Sequence, residues 1–521
     1  MRMKDIEIRL LVTSDIHGYV YPTSFRERKE ENLGLAKLAS IIKEKRKEGI
    51  VLLIDNGDFI QGSPLTFYHH KFRQKKKNPI VVAANYLKYD AVTFGNHEFN
   101  YGLPFIKDVM EQSDFPWLSA NIVEDDGSHL GKPYVVKNIA GLRIALLGLT
   151  THFVPIWEEP DHIEGLHFED ALQAAQKWVN HIRSKEEIDL LIVCYHGGFE
   201  RDLQTGELAE KETGENQGYA MCREIKGVDI LVTGHQHREI AEKLLGKTVI
   251  QPGTKGFCLG EIVITVTKDK DRIVSISHEP SLIYVDDRVQ ADEEVCALLR
   301  PLYNETEEWL NQTIGVVDGD MYIDDPFQAR LQEHPYVEFI NQVQLRVTGA
   351  EISCTALFHS KQGGFSNDVT MRQIVANYIY PNTLKVIVLS GSDIREALEQ
   401  SATYFELKDG EVVVNPKFEN PKQQHYNYDM WEGIEYELKI SNPVGERVTK
   451  LHYNGNPIER DRKFTVVMNS YRATGAGDFP MFQNKPVVKE IQTDMTELIA
   501  EEIMERKIIH AECNHNWCVI V

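Results

Sequence analysis

Five short strings carry side chains able to hold a metal or move a proton: Asp15-Ile16-His17, Asn56-Gly57-Asp58, Gly95-Asn96-His97-Glu98, Tyr195-His196-Gly197 and Gly234-His235-Gln236-His237. Each alone is ordinary, since Gly-Asp is usually a turn and a lone histidine is usually a satisfied surface or core group. Their placement sets them apart. Each follows a short apolar run, at residues 10–12, 52–54, 92–94, 191–193 and 231–232, with at most two residues between. In open α/β sheets ligands bind at the carboxyl ends of the strands. The five strings are therefore expected to converge on one rim of one sheet.

The donors in these strings are Asp15, His17, Asp58, Asn96, His196, His235 and His237, with no cysteine among them. The lack of thiolates excludes a structural zinc ribbon or an iron–sulfur centre. Mixed imidazole and carboxylate donors suit Mn, Zn, Fe, Co or Ni better than Ca or Mg, which prefer oxygen shells. Seven donors exceed one tetrahedral site, so two divalent metal ions are expected. A shared carboxylate bridges such pairs at roughly 3.5–4 Å. Asp58 is the natural bridge, as the only donor on its strand.

The elements that must position these residues follow from hydrophobic periodicity. Strands are expected at 9–13, 51–55, 91–94, 117–120, 144–148, 190–194 and 230–233. Helical spacing of apolar residues is present around Leu35, Leu38, Ile41 and Ile42, and at 102–112 and 169–183. Short apolar strands alternating with helices predict a mostly parallel sheet covered on both faces. After Thr248 the runs shorten and alternate, and 261–266 reads as an antiparallel strand at a sheet edge. Residues 286–312 read as a polar helix joining a first domain (1–285) to a second (313–521). In the second, helices are expected at 335–345 and 393–402 and strands at 384–389, 436–440 and 465–468. The basic run Lys71–Lys77 reads as a solvated loop.

The 521 residues carry 57 Lys and Arg against 79 Asp and Glu, a formal charge of −22. Nucleic-acid polymers and anionic membranes call for a basic surface, so neither is an expected partner. A small anionic substrate stays open, because bound cations invert the local field. No run of 18 apolar residues exists, and the first residues pass directly into a strand-like segment without a signal-peptide pattern. Seven scattered cysteines form no CxxC pair or disulfide grid. These features together give the expectation of a reducing, cytoplasmic setting.

The order Asp-x-His, Gly-Asp, Gly-Asn-His-Glu, His-Gly, Gly-His-x-His resembles the calcineurin-like metallophosphoesterases. The longer strings 55–64 and 95–103 resemble the 5′-nucleotidase branch, and within it the bifunctional 2′,3′-cyclic-nucleotide 2′-phosphodiesterase/3′-nucleotidases. Tyr380-Pro381-Asn382, Tyr426-Asn427-Tyr428-Asp429 and the segment 469–478 extend the resemblance through the second half. It implies a four-layer α/β-sandwich metallophosphoesterase domain, joined by a helix to a C-terminal α+β nucleotide-binding domain, with the active site between them. It further implies that Asp15, His17 and His237 hold one metal, that Asn96, His196 and His235 hold the other, and that Asp58 bridges. His97 is then a catalytic group beside the phosphate rather than a ligand, and Tyr380 and Tyr471 clamp the base. The implied reaction is hydrolysis of nucleotide phosphoesters by a metal-bound hydroxide. A 5′-nucleotidase or UDP-sugar hydrolase, a nuclease or protein phosphatase, and a non-catalytic nucleotide sensor are the alternatives. Two departures stand out: Asn100 replaces an aspartate that orients the histidine in many 5′-nucleotidases, and Phe365 replaces an arginine in the second domain's Gly-Gly-Arg turn.

Overall fold

The apolar runs preceding the five strings all fold as strands, but in two sheets rather than one. The computed structural model describes residues 4–26, 29–158, 160–209, 213–269, 272–358, 361–378, 382–419, 423–491 and 493–521. It divides into two units, Met1–Thr306 and Glu307–Val521. In the first unit one six-stranded sheet has the order Arg272–Tyr284, Cys258–Asp269, Lys4–Thr13, Ile50–Asp55, Ala91–Thr93, Trp117–Leu118. The other runs Glu239–Leu244, Lys247–Pro252, Ile230–Val232, Leu190–His196, Leu142–Thr150, Tyr134–Ile139. The central strands of both are parallel. Three of the strings thus end strands of the first sheet and two end strands of the second.

Side chains alternate across a strand, and both faces of these strands are buried. Leu10, Val12, Leu52 and Ile54 meet Ile144, Leu146, Ile192, Cys194, Ile230 and Val232 in a core between the sheets. The outward Leu147, Leu149, Leu191, Val193 and Leu231 pack under Ala171, Ala174, Val179 and Ile182 of the helix Ala171–Lys185. On the first sheet the outward Leu11 and Leu53 are fully buried, beside the helix Leu35–Glu48 with its buried Leu35, Leu38 and Ile42. The result is the four-layer order helix, sheet, sheet, helix. Each buried Leu, Ile or Val is worth about 1.5–3 kcal/mol.

The segment 261–266 is not at an edge. It lies inside Cys258–Asp269, which pairs antiparallel with Lys4–Thr13 on one side and with Arg272–Tyr284, the true edge, on the other. An Arg9–Glu261 ion pair at 2.8 Å ties it to its inner neighbour. The helix expected over 286–312 spans only Glu293–Leu310. It starts there because the Asp292 carboxylate accepts the Val295 N–H at 3.0 Å, as an N-cap does.

In the second unit a five-stranded sheet has the order Asp429–Glu432, Ile352–Ala356, Lys463–Asn469, Leu384–Ser390, Val487–Ile491. Helices Pro335–Thr348, Gly391–Ala402 and Met495–Arg506 accompany it. Phe365 is buried and packs edge-on against Tyr336, with ring centroids 5.1 Å apart. Phe365, in the turn where the resembled family carries an arginine, therefore belongs to the core of this unit.

Glu333, Glu338 and Glu432 form an acidic cluster here, their oxygens within 4.8 Å of one another. Glu333 accepts the Asn514 N–H at 3.2 Å, and Glu432 accepts Nδ2 of Asn514 at 2.9 Å and of Asn516 at 2.6 Å. Burial, reinforced by the hydrogen bond and charge of Glu432, pushes Glu338 up to about 9 from its ordinary 4.5. A group raised in this way stabilises fully below its unfolded pKa and loses that contribution as pH rises through the folded value. The second unit is accordingly expected to lose stability progressively between about pH 4.5 and 9. Glu338→Gln should flatten this loss and raise Tm at pH 9 relative to the parent. Thermal unfolding of both proteins across that range checks it, and parallel profiles would mean that no proton is shared among the three.

Candidate metal centre

All seven donors come together at the carboxyl ends of the strands. His17 Nε2 and His237 Nε2 stand 3.0 Å apart, and His237 Nε2 lies 3.4 Å from Asp15 Oδ1. On the other side His196 Nε2 is 3.2 Å from Asn96 Oδ1, and His235 Nδ1 is 3.0 Å from the same oxygen. Asp58 stands between, its Oδ2 at 3.2 Å from His196 Nε2 and 3.9 Å from His17 Nε2. Asp15, His17 and His237 form one group with metal-ligating distances, Asp58, His196 and His235 a second, and His17, Asp58 and His97 a third.

The backbone at this rim is strained. Asp15, His17, Asp58, His235 and His237 all have φ between 49° and 66°. The left-handed conformation costs an L-residue roughly 1–2 kcal/mol, least for Asp and Asn. Such strain persists only where packing over-determines it, and it clusters at functional sites. The two-sheet core supplies that packing. Gly95 is required for a different reason: a Cβ there would collide with the Asp58 carboxylate.

Glu98, which the sequence reading quoted without a role, builds the turn under Asp58. Its buried carboxylate accepts the N–H groups of Asp58 at 2.8 Å, Phe59 at 2.7 Å, Ile60 at 3.2 Å and Gly95 at 2.5 Å. These bonds orient Asp58, whose Oδ1 in turn accepts the His97 N–H at 2.8 Å.

The donor chemistry fits a cation. His17 Nδ1 faces the Gln61 carbonyl at 3.3 Å and His196 Nδ1 faces the Asn56 carbonyl at 2.7 Å. A carbonyl only accepts, so these nitrogens carry the protons and the Nε2 atoms present lone pairs to the centre. His235 is held the other way, with Nε2 on Glu215 Oε1 at 2.8 Å and Nδ1 turned inward. Lone pairs and carboxylate oxygens thus face one another, an arrangement that calls for positive charge. The shifts agree. Burial opposes ionisation of Asp58, yet His196, His97 and His17 hold it well below the carboxylate range. Burial likewise opposes protonation of His196, and Asp58 nevertheless pushes it up to about 10.

Glu215 escaped the sequence reading, because it sits in the long connection after Leu190–His196 with no strand or spacing to mark it. Its carbonyl accepts from Thr151 Oγ1 at 2.8 Å and Tyr195 Oη at 3.0 Å, which seats it behind His235. A carboxylate behind a ligating histidine fixes its tautomer, and losing one typically weakens metal binding about 10–100-fold. Glu215→Ala is expected to weaken a metal-binding step by that factor. Calorimetric metal titration of the apoprotein checks it, and unaltered binding would show that the pairing does not tune a ligand.

His97 follows Asn96 at the rim. Its ring lies edge-on to His17, centroids 5.2 Å apart, and Nδ1 meets Asn100 Oδ1 at 2.7 Å. In the second unit, Tyr471 is exposed at 46% on the short helix Ser470–Ala473. Buried Arg472 anchors that helix through Asp429 at 2.7 Å, the Ala476 and Tyr426 carbonyls and the Phe479 ring at 4.1 Å. Tyr426 stands edge-on to Tyr471 at 6.2 Å. Tyr380 lies outside the described residues.

Two stacked sheets with a strained rim of His, Asp and Asn donors between them define a metal-dependent phosphoesterase. The sequence comparisons agree: residues 8–239 match the calcineurin-like phosphoesterase family and residues 313–484 match the 5′-nucleotidase C-terminal domain. The chain is 37% identical to a proposed 5′-nucleotidase of Staphylococcus aureus, with 99% of this chain and 100% of that one covered and a TM-score of 0.75. It is 26% identical to a 2′,3′-cyclic-nucleotide 2′-phosphodiesterase/3′-nucleotidase of Haemophilus influenzae, over 98% of this chain and 87% of that protein. It is also 26% identical to a trifunctional nucleotide phosphoesterase of Bacillus subtilis, where 99% of this chain covers only 39% of the longer relative. The chain belongs to the calcineurin-like phosphoesterases of the 5′-nucleotidase type, a family of phosphoric-ester hydrolases for which divalent metal ions are expected.

Proposed function

We propose that the protein hydrolyses 2′,3′-cyclic nucleotides to 3′-nucleotides and these to nucleosides, using two divalent ions. The observation that carries this reading is the committed far nitrogen of His17, His196 and His235, which leaves their lone pairs converging with Asp15, Asp58 and Asn96. Asp15, His17 and His237 would hold one ion and Asn96, His196 and His235 the other, with Asp58 shared. Ions held there supply charge for the phosphoryl oxygens and a water acidic enough to attack near neutral pH. Around them, His97 presents its ring at the rim, where Nε2, with the ring protonated at both nitrogens, can donate to the phosphoryl group or the leaving ribose oxygen. Tyr471 and Tyr380 would stack the base, at about 1–3 kcal/mol per stacked base. The seven unpaired cysteines suit a reducing compartment, and cytoplasmic placement is part of this proposal.

A second reading, 5′-nucleotidase activity, is favoured by the Staphylococcus aureus relative. Turnover of a panel of 2′,3′-cyclic, 3′- and 5′-nucleotides with added Mn²⁺ separates the two. Hydrolysis of 5′-nucleotides alone would overturn the first. In the same panel Tyr471→Ala should raise KM for nucleotides about 10-fold and spare p-nitrophenyl phosphate, which has no nucleobase to stack. Equal losses on both would mean that Tyr471 supports the fold instead.

A further inference from the structure

The Asn100 side chain touches two groups with opposite demands. Its Oδ1 is 2.7 Å from His97 Nδ1, and its Nδ2 donates to Glu158 Oε2 at 2.8 Å. Glu158 is buried, and its other oxygen meets His162 Nδ1 at 2.8 Å. An amide is nearly symmetric in shape, so its neighbours decide which end is which. An ionised carboxylate only accepts, so the end facing Glu158 must be the NH₂. The end facing His97 is then the oxygen, and His97 Nδ1 must be the donor. Turned over, the amide would set two acceptors against each other at Glu158 and offer His97 an N–H in place of an oxygen.

We propose that Glu158 is a positioning residue for the hydrolysis. Through the orientation of Asn100 it fixes a proton on His97 Nδ1 and leaves Nε2 as the one ring atom open to the phosphoester. The carboxylate that would orient the histidine directly has in effect moved one side chain outward, with a neutral amide interposed. This rests on the proposed phosphoesterase chemistry of His97, but not on the nucleotide specificity.

The arrangement predicts that Asn100→Asp lowers kcat in the parent and raises it in Glu158→Ala. Glu158→Ala frees the amide to turn over, and kcat should fall about 10–100-fold, as for other lost outer partners. Asn100→Asp alone places two carboxylates at hydrogen-bond distance, where they repel, so kcat should fall as well, by about 10-fold. Combined, the two substitutions should restore kcat to within about 3-fold of the parent, because a carboxylate accepts from Nδ1 whichever way it is turned. The readouts are kcat on p-nitrophenyl phosphate, metal content, and the imidazole ¹⁵N shifts of His97. These shifts should show Nδ1 protonated in the parent and the double variant, and a mixture in Glu158→Ala. Because the ester carries no nucleobase and the shifts need no turnover, failure of the nucleotide assignment would leave the test readable. Unchanged kcat in Glu158→Ala would overturn the proposal, as would a loss that Asn100→Asp does not restore. Should Glu158→Ala fail to fold, unchanged or increased kcat in Asn100→Asp alone would overturn it equally.

Discussion

Asp58→Asn is expected to abolish hydrolysis and to release metal from both proposed positions. The carboxylate is only 1% exposed and lies between His196 at 3.2 Å and His17 at 3.9 Å, each belonging to a different donor group. An amide presents one acceptor and one donor, so it serves one side and opposes the other. It also removes the negative charge that holds His196 up to about 10. Losing a single transition-state donor costs about 10²–10³ in kcat. Losing the shared ligand should exceed that, at least about 10³-fold, with metal content falling from two ions per chain toward zero. The Glu98 turn that carries Asp58 makes no bond to the second side-chain oxygen, so the variant should stay folded. Two ions still bound per variant chain would refute the bridge.

His97→Asn gives the second largest effect, with the opposite metal signature. Asn96 and His97 are neighbours at a strand end and point in different directions: Asn96 Oδ1 faces His196 and His235, whereas the His97 ring reaches Asn100 and stands edge-on to His17. By distance alone His97 forms a third possible ligand group with His17 and Asp58. Metal content separates the two roles. A proton donor or phosphate contact, once removed, leaves both ions and lowers kcat about 10²–10⁴-fold. The deficit should shrink for esters whose leaving groups need no proton. Loss of an ion in His97→Asn would make His97 a ligand.

Much of this was legible in the sequence because the signals are local. An apolar run followed by Asp, Asn or His beside Gly marks a strand end, and five such ends did meet. Helices such as Gly102–Gln112 follow from spacing alone. Sheet membership was not legible. A strand buried on both faces reads the same in one sheet or two, and the partner of Lys4–Thr13 lies in Cys258–Asp269, far along the chain. The edge assignment of 261–266 failed for that reason. The true start of the helix at Glu293 was readable in principle, since Asp292 is a strong N-cap residue. Glu215 and Glu158 were not readable, because both reach the site from loops distant in sequence, Glu215 at His235 and Glu158 at Asn100. Phe365 shows a different limit: the sequence shows that the turn lacks an arginine, but not that the phenylalanine in its place packs into the core against Tyr336.

The most direct test of the central claim is a metal titration with turnover measured in the same samples. Apoprotein prepared with a chelator would receive Mn²⁺ in steps, with binding followed by calorimetry and hydrolysis of 2′,3′-cyclic AMP followed by phosphate and nucleoside release. The arrangement of two donor groups around one shared carboxylate predicts no turnover without metal, two ions bound per chain, and activity that rises with the second ion. Full turnover in chelator-treated protein, or activity complete at one ion per chain, would contradict it.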